Sequence, residues 1–321
     1  MIHHIPSTIK IAFASDDFAT LFINGEYVAT KDNWVTSSTY CVPLQPFKNV
    51  IAFNVTNDPN PGGLLVTAEI TYTDGTTSSL ASDETWRVTG PTIPDGWEQL
   101  SFDDSSWALT TRKATYPSTL SHDWDNVQIA GSDPVSFAPA SWIWTKDLSS
   151  PGGSAPVGAH AFRRTVILPP GHTSADAEVL IVVDNEYSLY INGQFIGSRT
   201  VYTNAQRFAV DNIQADDGKI VIAVFGRNTG GPAGVLVSMQ ITSEDPSSCL
   251  DCSSVTYLIT DEKWKVNKET PDGFEQPGFD DSAWSAATVE GKYGMGPWGS
   301  VSVPSATSPH GATISGAPPG N

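Results

Sequence analysis

The sequence DNEYSLYING at positions 184–193 is a second copy of DDFATLFING at positions 16–25. The two copies align without a gap and are 168 residues apart. In both copies a run of mainly apolar residues leads into Asn-Gly. This pattern is typical of a β-strand that enters a two-residue hairpin, because a type I′ turn needs positive φ at both of its central residues. The chain is therefore predicted to contain the same hairpin twice, at Asn24-Gly25 and at Asn192-Gly193.

The repetition extends over most of the chain. The offset grows to 171 for residues 50–70, and three further blocks recur with a similar spacing. These blocks are DETW at 83–86 and DEKW at 261–264, PDGWEQ at 94–99 and PDGFEQ at 271–276, and FDDSSW at 102–107 and FDDSAW at 279–284. A period of about 170 residues is too long for one unit of a solenoid and indicates a duplicated domain.

Short runs of β-branched and apolar residues predict strands in each copy, for example at 178–183 and 219–225. The apolar 3.6-residue period of an amphipathic helix is missing, so helix is expected only in short turns. We therefore predict an all-β protein of two tandem antiparallel β-sandwich domains. The first spans 1–126, the second spans 127–301, and the Ser-, Pro- and Gly-rich segment 302–321 is expected to be a loose tail.

The first domain is predicted to lack two opening strands. Residues 141–144 and 160–168 have the pattern of strands that precede the repeated part of the second copy, and the first copy has no room for them. Either the chain is truncated or another segment fills the gap. A bare edge would invite strand pairing between chains, so a homo-oligomer is one expectation.

The composition excludes several classes of partner. With 17 basic and 35 acidic residues among 321, the chain has a net charge of −18, which repels phosphate backbones and anionic lipid surfaces. Neither nucleic acid nor membrane insertion is expected. No signal peptide is visible, and we expect an extracellular or cell-surface site of action. Of the three cysteines, Cys249 and Cys252 are spaced to close a small loop in an oxidising compartment.

Catalytic signatures are sparse. The nucleophile-elbow, zinc-protease and phosphate-loop patterns are absent from the sequence. Adjacent carboxylates such as Asp103-Asp104 and Asp280-Asp281 leave a glycosidase pair open, because these enzymes need two carboxylates across a sugar cleft. The simpler interpretation is a turn in which these side chains cap backbone amides. We expect a protein that is not an enzyme.

Asp16-Asp17 and Asp184-Asn185 stand just before the hairpin strand and suggest a metal site. The second member changes from acid to amide, which a general acid or base would not tolerate. A calcium site would, because calcium accepts carboxylate, amide and carbonyl oxygens. Asn57 and Asn228 each open a Gly- and Pro-rich loop whose carbonyls can point inward. The alternative interpretation is a tight polar loop between strands.

An aromatic residue recurs between these blocks, since Trp34 aligns with Tyr202. Packing in the core is the default role for an aromatic ring in a sandwich. An exposed ring beside hydroxyl-rich loops also suits the apolar face of a sugar, because a flat amphipathic ring offers contact area at low entropic cost. Both interpretations stay open from the sequence.

Taken together, the Asp184-Asn185 block, the hairpin strand, the Asn228 loop, Trp264 and the FDDSAW block resemble the galactose-binding-domain-like jelly rolls. They are most similar to the rhamnose-binding modules of α-L-rhamnosidases. A tandem of such modules without a catalytic barrel is similar to mushroom lectins of the oyster-mushroom type.

The resemblance implies one calcium ion at the sandwich edge of each domain, in contact with the sugar hydroxyls. The implied metal ligands are Asp16, Asp17, Asn57 and Asn60 in the first copy and Asp184, Asn185, Asn228, Gly230 and Pro232 in the second, and the implied sugar contacts are Trp34, Tyr202, Asn204, Asp16 and Asp184.

The leading prediction is a calcium-dependent, non-catalytic lectin with one site per domain for glycans that contain galactose, N-acetylgalactosamine or rhamnose. One alternative is a glycoside hydrolase or lyase, or an accessory fragment of a rhamnosidase. Another is a structural adhesion protein whose calcium only stiffens a loop. Because Thr36 stands where the second copy has Asn204, the two sites are expected to differ in affinity, or one of them to be silent.

Overall fold

The computed structural model describes residues 4–31, 34, 36–57, 62–115, 127–130, 135–148, 150–168, 172–243 and 254–320. Within these residues the regular structure consists of β-strands alone, which confirms the predicted all-β class. None of them forms a helix long and apolar enough to cross a membrane. The chain divides into a first unit, Met1–Pro134 with Ser254–Tyr257, and a second unit, Val135–Ser253 with Leu258–Asn321.

The first unit is built from two facing sheets and a short ribbon. Its strands are β1 (Pro6–Asp16), β2 (Phe18–Ile23), β3 (Glu26–Lys31), β4 (Thr36–Pro43), β5 (Ile51–Thr56), β6 (Gly63–Tyr72), β7 (Thr77–Ala81), β8 (Arg87–Val88), β9 (Ala108–Leu109) and β10 (Gln128–Ala130). One sheet has the order β10-β4-β1-β6-β7, the other has the order β3-β2-β5, and β8 pairs with β9. Except for the parallel pair β10 and β4, the strands are antiparallel.

The second unit has the same design with more strands. They are β11 (Ser141–Trp144), β12 (Gly158–Ile167), β13 (Ser174–Asp184), β14 (Glu186–Ile191), β15 (Gln194–Arg199), β16 (Gln206–Gln214), β17 (Lys219–Asn228), β18 (Gly234–Ser243), β19 (Ser254–Ile259, whose first four residues belong to the first unit), β20 (Lys265–Asn267), β21 (Ser285–Ala286) and β22 (Thr288–Lys292). One sheet has the order β16-β13-β18-β11-β22 and the other has the order β15-β14-β17-β12-β20-β21.

Both predicted hairpins are present. Asn24 and Asn192 have positive φ of 54° and 47°, and the glycine after each is also left-handed, as a type I′ turn requires. The repeated PDG blocks pack against these turns. A Cβ on Gly25 would lie 2.4 Å from the Gln99 amide, and a Cβ on Gly193 would lie 2.4 Å from the Gln276 amide. The positive φ favours glycine at both hairpins, and a larger residue would also displace the end of the glutamine side chain that packs there.

The core of the second unit lies on both faces of β13. The alternating residues Val179, Ile181 and Val183 pack between the two sheets, where Trp144, Phe162 and Trp264 are also fully buried. Leu180 and Val182 point to the opposite face and pack with Trp142 and Trp298. A strand buried on both faces explains the continuous apolar run in its sequence.

The FDD blocks are turns, as the capping interpretation predicts. Asp103 accepts a bond of 3.0 Å from the Ser105 amide, and Asp280 accepts one of 2.9 Å from the Ser282 amide. These hydrogen bonds lower the pKa of both carboxyl groups. Asp281 does not cap a turn; it forms an ion pair of 2.9 Å with the buried Arg163 of β12. The capping interpretation is therefore wrong for Asp281, while the capping bonds are found at Asp103 and Asp280.

The first unit shows no counterpart of β11 or β12 within the residues described. In the second unit β12 covers the outer edge of β17 along ten residue pairs, from Gly158↔Asn228 to Ile167↔Lys219. The equivalent strand of the first unit, β5, pairs only with β2 among the described strands. Tyr257 packs with the core of the first unit, so a short segment from within the second copy, Ser254–Tyr257, contributes to that core.

Residues 302–320, for which composition predicts a loose tail, lie along the second unit. Ser302 forms a parallel bridge with Asn204, and the Ala205 amide donates to its carbonyl at 2.8 Å. Further along, the Arg227 guanidinium donates to the Ser315 carbonyl at 2.8 Å. Ile314 is buried against Tyr190 and Phe225. The segment is thus held by side-chain packing and by hydrogen bonds to its backbone.

Candidate functional site

Three strand ends of the second unit meet at one edge of the sandwich. Asp184, the last residue of β13, lies opposite Gly234, the first residue of β18. Asn228 ends β17, and the Asn185 amide donates to the Arg227 carbonyl just before it at 3.2 Å. The structure therefore brings together the three side chains that the sequence singled out as ligands, Asp184, Asn185 and Asn228.

Asp184 is a buried carboxylate, with 4% of its surface exposed. Its Oδ2 accepts a hydrogen bond of 2.9 Å from the Trp298 indole, and its Oδ1 accepts one of 2.7 Å from the Asn185 amide. Burial raises the pKa of Asp184, and the Trp298 hydrogen bond opposes that shift. The side chain carries a negative charge in a place where charge is costly, which a bound cation would relieve.

Asn228 is fully buried and organises the loops above the site. Its Nδ2 donates to the Ala155 carbonyl at 2.8 Å and to the Pro156 carbonyl at 3.1 Å, and its Oδ1 accepts from the Gly230 amide at 2.9 Å. The neighbouring Asn185 Oδ1 accepts from the Thr229 amide at 2.7 Å. Both amide side chains therefore fix the Gly- and Pro-rich loop, and each oxygen keeps a second lone pair for another ligand.

The loop carbonyls expected as ligands lie next to a contact with a second loop. The Gly231 carbonyl accepts from the Ala155 amide at 3.0 Å, and Pro232 forms a bridge with Ser154. Gly230 and Gly231 have positive φ of 143° and 82°, so the chain turns sharply here. Gly230 and Pro232 thus lie close to Asn228, and their role as carbonyl ligands stays a prediction.

Tyr202 and Asn204 lie in the loop that leads into β16. Tyr202 is 38% exposed, and Asn204 is also exposed. The pairing of β13 with β16 ends at Ile181↔Gln206, three residues before Asp184, so this loop borders the same end of the sheet. The exposed position of Tyr202 favours a ring that meets a ligand over a ring that packs in the core.

The first unit repeats part of this arrangement. Asp16 ends β1 opposite Gly63, as Asp184 does opposite Gly234, and the Asp16-Asp17 and Asp184-Asn185 peptide bonds are both cis. Asn57 follows β5 directly, and its side chain occupies the space that a Cβ on Gly62 would need. Trp34 is half-buried, whereas the predicted ligand Asn60 lies outside the described residues, as do Cys249 and Cys252.

Two residues of the second site were missed from the sequence. Trp298 lies 114 positions after Asp184, to which it donates, and stacks on Trp142 at 4.3 Å between ring centroids. Glu290 on β22 is 6% exposed, and burial together with the charge of Asp184 raises its pKa to about 8. Both follow the last repeated block, where comparison of the two copies offers no signal. The sequence marks them only weakly: Glu290 is a single acid in a short strand-like segment, and Trp298 is a single tryptophan between Gly-Pro and Gly.

The donor set decides which chemistry the site suits. Among the described residues no group of three or more His, Cys, Asp or Glu side chains is close enough to hold a metal. Carboxylate and amide oxygens prevail instead, which suits a hard cation such as calcium better than zinc. Such a site acts by binding and polarising oxygen ligands.

Two repeated sandwiches, each with polar side chains where strands end before an Asn-Gly hairpin, match the arrangement expected of the galactose-binding-domain-like jelly rolls. The chain is 30% identical to the lectin from Pleurotus ostreatus, solved in complex with GalNAc, over 94% of this chain and 86% of that one, with a TM-score of 0.49. The apo form of that lectin gives 30% identity over 95% and 86%, with the same TM-score of 0.49. The chain is thus similar in sequence to the Pleurotus ostreatus lectin over most of the length of both chains.

A second relative is an enzyme. The chain is 32% identical to an α-L-rhamnosidase of Streptomyces avermitilis over 189 residues, which are 56% of this chain and 17% of the enzyme. The chain therefore spans less than a fifth of the length of that curated relative. No sequence-family model matches the chain.

Proposed function

We propose that the protein is a calcium-dependent lectin that binds a galactose- or rhamnose-type sugar at the strand ends of each unit and catalyses no reaction. The observation that carries the proposal is the buried carboxylate of Asp184, which the fold sets beside the amides of Asn185 and Asn228. The 30% sequence identity to the Pleurotus ostreatus lectin, which was solved in complex with GalNAc, supports sugar binding.

The residues of the second site fit a calcium ion. Calcium takes six to eight oxygen ligands from carboxylates, amides, carbonyls, waters and bound hydroxyls. Asp184, Asn185 and Asn228 supply the carboxylate and amide oxygens, and Gly230 and Pro232 are the proposed carbonyl donors. A buried, unpartnered carboxylate oxygen on Glu290 is a second sign that positive charge belongs here. When bound, calcium would fix the orientation of sugar hydroxyls by direct coordination.

The exposed loop that carries Tyr202 and Asn204 would contact the parts of the sugar that do not bind the calcium ion. The Tyr202 ring offers an apolar face to the C–H side of a pyranose, and Asn204 offers an amide to its hydroxyls. In the first unit the proposed counterparts are Asp16, Asp17, Asn57, Asn60 and Trp34. Two sites on one chain would raise the avidity for glycans that present several copies of the sugar.

A sugar-binding accessory module of a rhamnosidase-like enzyme is the second candidate. It is favoured by the stretch of 189 residues that is 32% identical to the Streptomyces avermitilis α-L-rhamnosidase. The two candidate functions use the same binding site. They differ in the preferred sugar and in whether the sugar-binding units serve an attached catalytic domain. Rhamnose therefore stands beside galactose and N-acetylgalactosamine as a proposed ligand.

Isothermal calorimetry of the purified chain with galactose, N-acetylgalactosamine and rhamnose tests the proposal. We expect binding of at least one sugar in calcium and none in a chelator, with no product released from nitrophenyl glycosides of the same sugars. Binding that persists unchanged in the chelator would contradict the calcium dependence. Turnover of a glycoside would contradict the non-catalytic assignment.

Replacement of Tyr202 by alanine is expected to weaken sugar binding at the second unit by roughly three- to tenfold, because an aromatic contact contributes about 0.5–1.5 kcal/mol. Calcium affinity should not change, since Tyr202 is not among the proposed ligands. Titrations with sugar and with calcium measure the two effects separately. Val201→Ala, a change at an exposed neighbour, is the matched control, and equal losses in both variants would remove Tyr202 from the sugar site.

A further inference from the structure

Glu290 is a buried carboxylate that none of the sequence-predicted ligand sets contains. It lies on β22, where pairing with β11 shifts register between Trp142↔Gly291 and Ile143↔Val289. The irregularity leaves Glu290 between these pairs, and its side chain is almost wholly inside the protein. A buried carboxylate on a bulge has a specific orientation, because bulges turn one side chain away from the regular alternation.

Only half of this carboxylate has a partner. Oε2 accepts a hydrogen bond of 3.0 Å from the Gly152 amide, whereas Oε1 is buried without a partner among the described residues. A buried charged oxygen without a partner is costly, so its presence calls for a ligand. The loop that carries Gly152 continues into Ser154, which forms the bridge with Pro232 above the candidate cation site.

Glu290 and Asp184 belong to the same polar interior. Trp142, which pairs with the residue after Glu290, stacks on Trp298, and the Trp298 indole donates to Asp184. Both carboxylates are buried and are connected through the stacked rings of Trp142 and Trp298, so their negative charges repel each other in the same interior. A divalent cation between them would replace this repulsion with attraction.

Comparison of the two copies explains why a second acid is needed. In the first copy the ligand pair is Asp16-Asp17, with two carboxylates, and in the second it is Asp184-Asn185, with one. The second copy therefore has one negative charge fewer at the aligned positions. Glu290 supplies such a charge from a different strand.

We propose that Glu290 is the second anionic ligand of the cation site in the second unit, contributing its buried Oε1 in place of the carboxylate that the first copy carries at Asp17. The inference rests on the proposed function, because it concerns the cation of that site. It goes beyond it by assigning the role of ligand to a residue that lies outside the repeated blocks and outside the proposed set of calcium ligands. The proposal also predicts that the two cation sites have the same number of carboxylate ligands, supplied by different residues in each unit.

The test measures calcium in the Asp16→Ala background, so that only the second site is titrated. Calorimetry gives the affinity, and terbium luminescence excited through tryptophan gives a direct signal, since Trp298 lies against Asp184. Glu290→Gln is expected to lower the calcium affinity at least tenfold. Adding Asn185→Asp, which copies the first unit, is expected to restore most of it. Glu269→Gln, an exposed change in the same unit, should have no effect.

The outcomes separate this inference from the proposed function. Unchanged calcium affinity in Glu290→Gln would overturn the role of Glu290, while sugar binding by the parent chain in calcium would leave the lectin proposal intact. A loss that Asn185→Asp does not restore would also overturn it, because a purely structural role is not rescued by charge at a different residue. Thermal unfolding in chelator checks the fold, and we expect Glu290→Gln to be about as stable as the parent, because glutamine keeps the shape of the side chain and an acceptor for the Gly152 amide. Absence of calcium binding in the parent would instead contradict the proposed function itself.

Discussion

Replacement of Asp184 by alanine is expected to abolish calcium binding and sugar binding at the second unit while that unit stays folded. Asp184 is the buried carboxylate at the meeting point of the strand ends, and its loss would remove the charged ligand that stands beside the amides of Asn185 and Asn228. Two donors, from Trp298 and Asn185, lose their acceptor, which costs about 1–3 kcal/mol of stability. Calorimetry with calcium and then with sugar measures the loss.

Two further variants make this result specific. Asp184→Asn keeps the shape of the side chain and removes its charge, so it should lose calcium with a smaller change in stability. Asp16→Ala removes the equivalent residue of the first unit and should leave the second site intact. A wild-type calcium affinity in Asp184→Ala, measured with the first site removed, would contradict the assignment of the site.

Replacement of Arg163 by alanine is expected to destabilise the second unit by about 3–5 kcal/mol, because it leaves a partly buried acid and several carbonyls without their donor. Arg163 is 1% exposed and its Nε donates to Asp281 at 2.9 Å. Its other nitrogens donate to backbone carbonyls of the repeated PDG and FDD blocks, at Phe274, Gln276 and Phe279. Urea unfolding followed by tryptophan fluorescence measures the change.

The first unit provides the matched control. There the equivalent acid, Asp104, lies 3.9 Å from Arg87, and the side chains are 58% and 37% exposed, respectively. Because an exposed ion pair contributes about 0–1 kcal/mol, Arg87→Ala should change the stability of the first unit little. If both substitutions lowered the free energy of unfolding by similar amounts, the buried pair of Arg163 and Asp281 would contribute no more to stability than the exposed pair.

Local patterns allowed most of the fold to be predicted. The alternation of apolar residues and the Asn-Gly turns are properties of a few neighbouring residues, so they were readable without tertiary information. The structure confirms the strands and both hairpins, with positive φ at Asn24 and Asn192. The ion pair of Asp281 could not be predicted from the sequence, because its partner Arg163 lies 118 positions away. Arg163 is also on a strand that has no counterpart among the described residues of the first unit.

The candidate site was predictable where the two copies repeat it and not elsewhere. Asp184 and Asn228 stand in repeated blocks, and the fold brings them together. Trp298 and Glu290 enter from segments after the last repeat, and Glu290 meets Gly152 across 138 positions of sequence. No local pattern marks such contacts, since they depend on which strands lie side by side in the folded sheet.

The most direct test of the central claim is a crystal structure grown with calcium and N-acetylgalactosamine, with anomalous scattering used to locate the metal. We predict an anomalous peak among the oxygens of Asp184, Asn185 and Asn228, with a sugar hydroxyl bound to the same ion. A sugar bound elsewhere on the protein, or bound at this edge without a metal, would contradict the account.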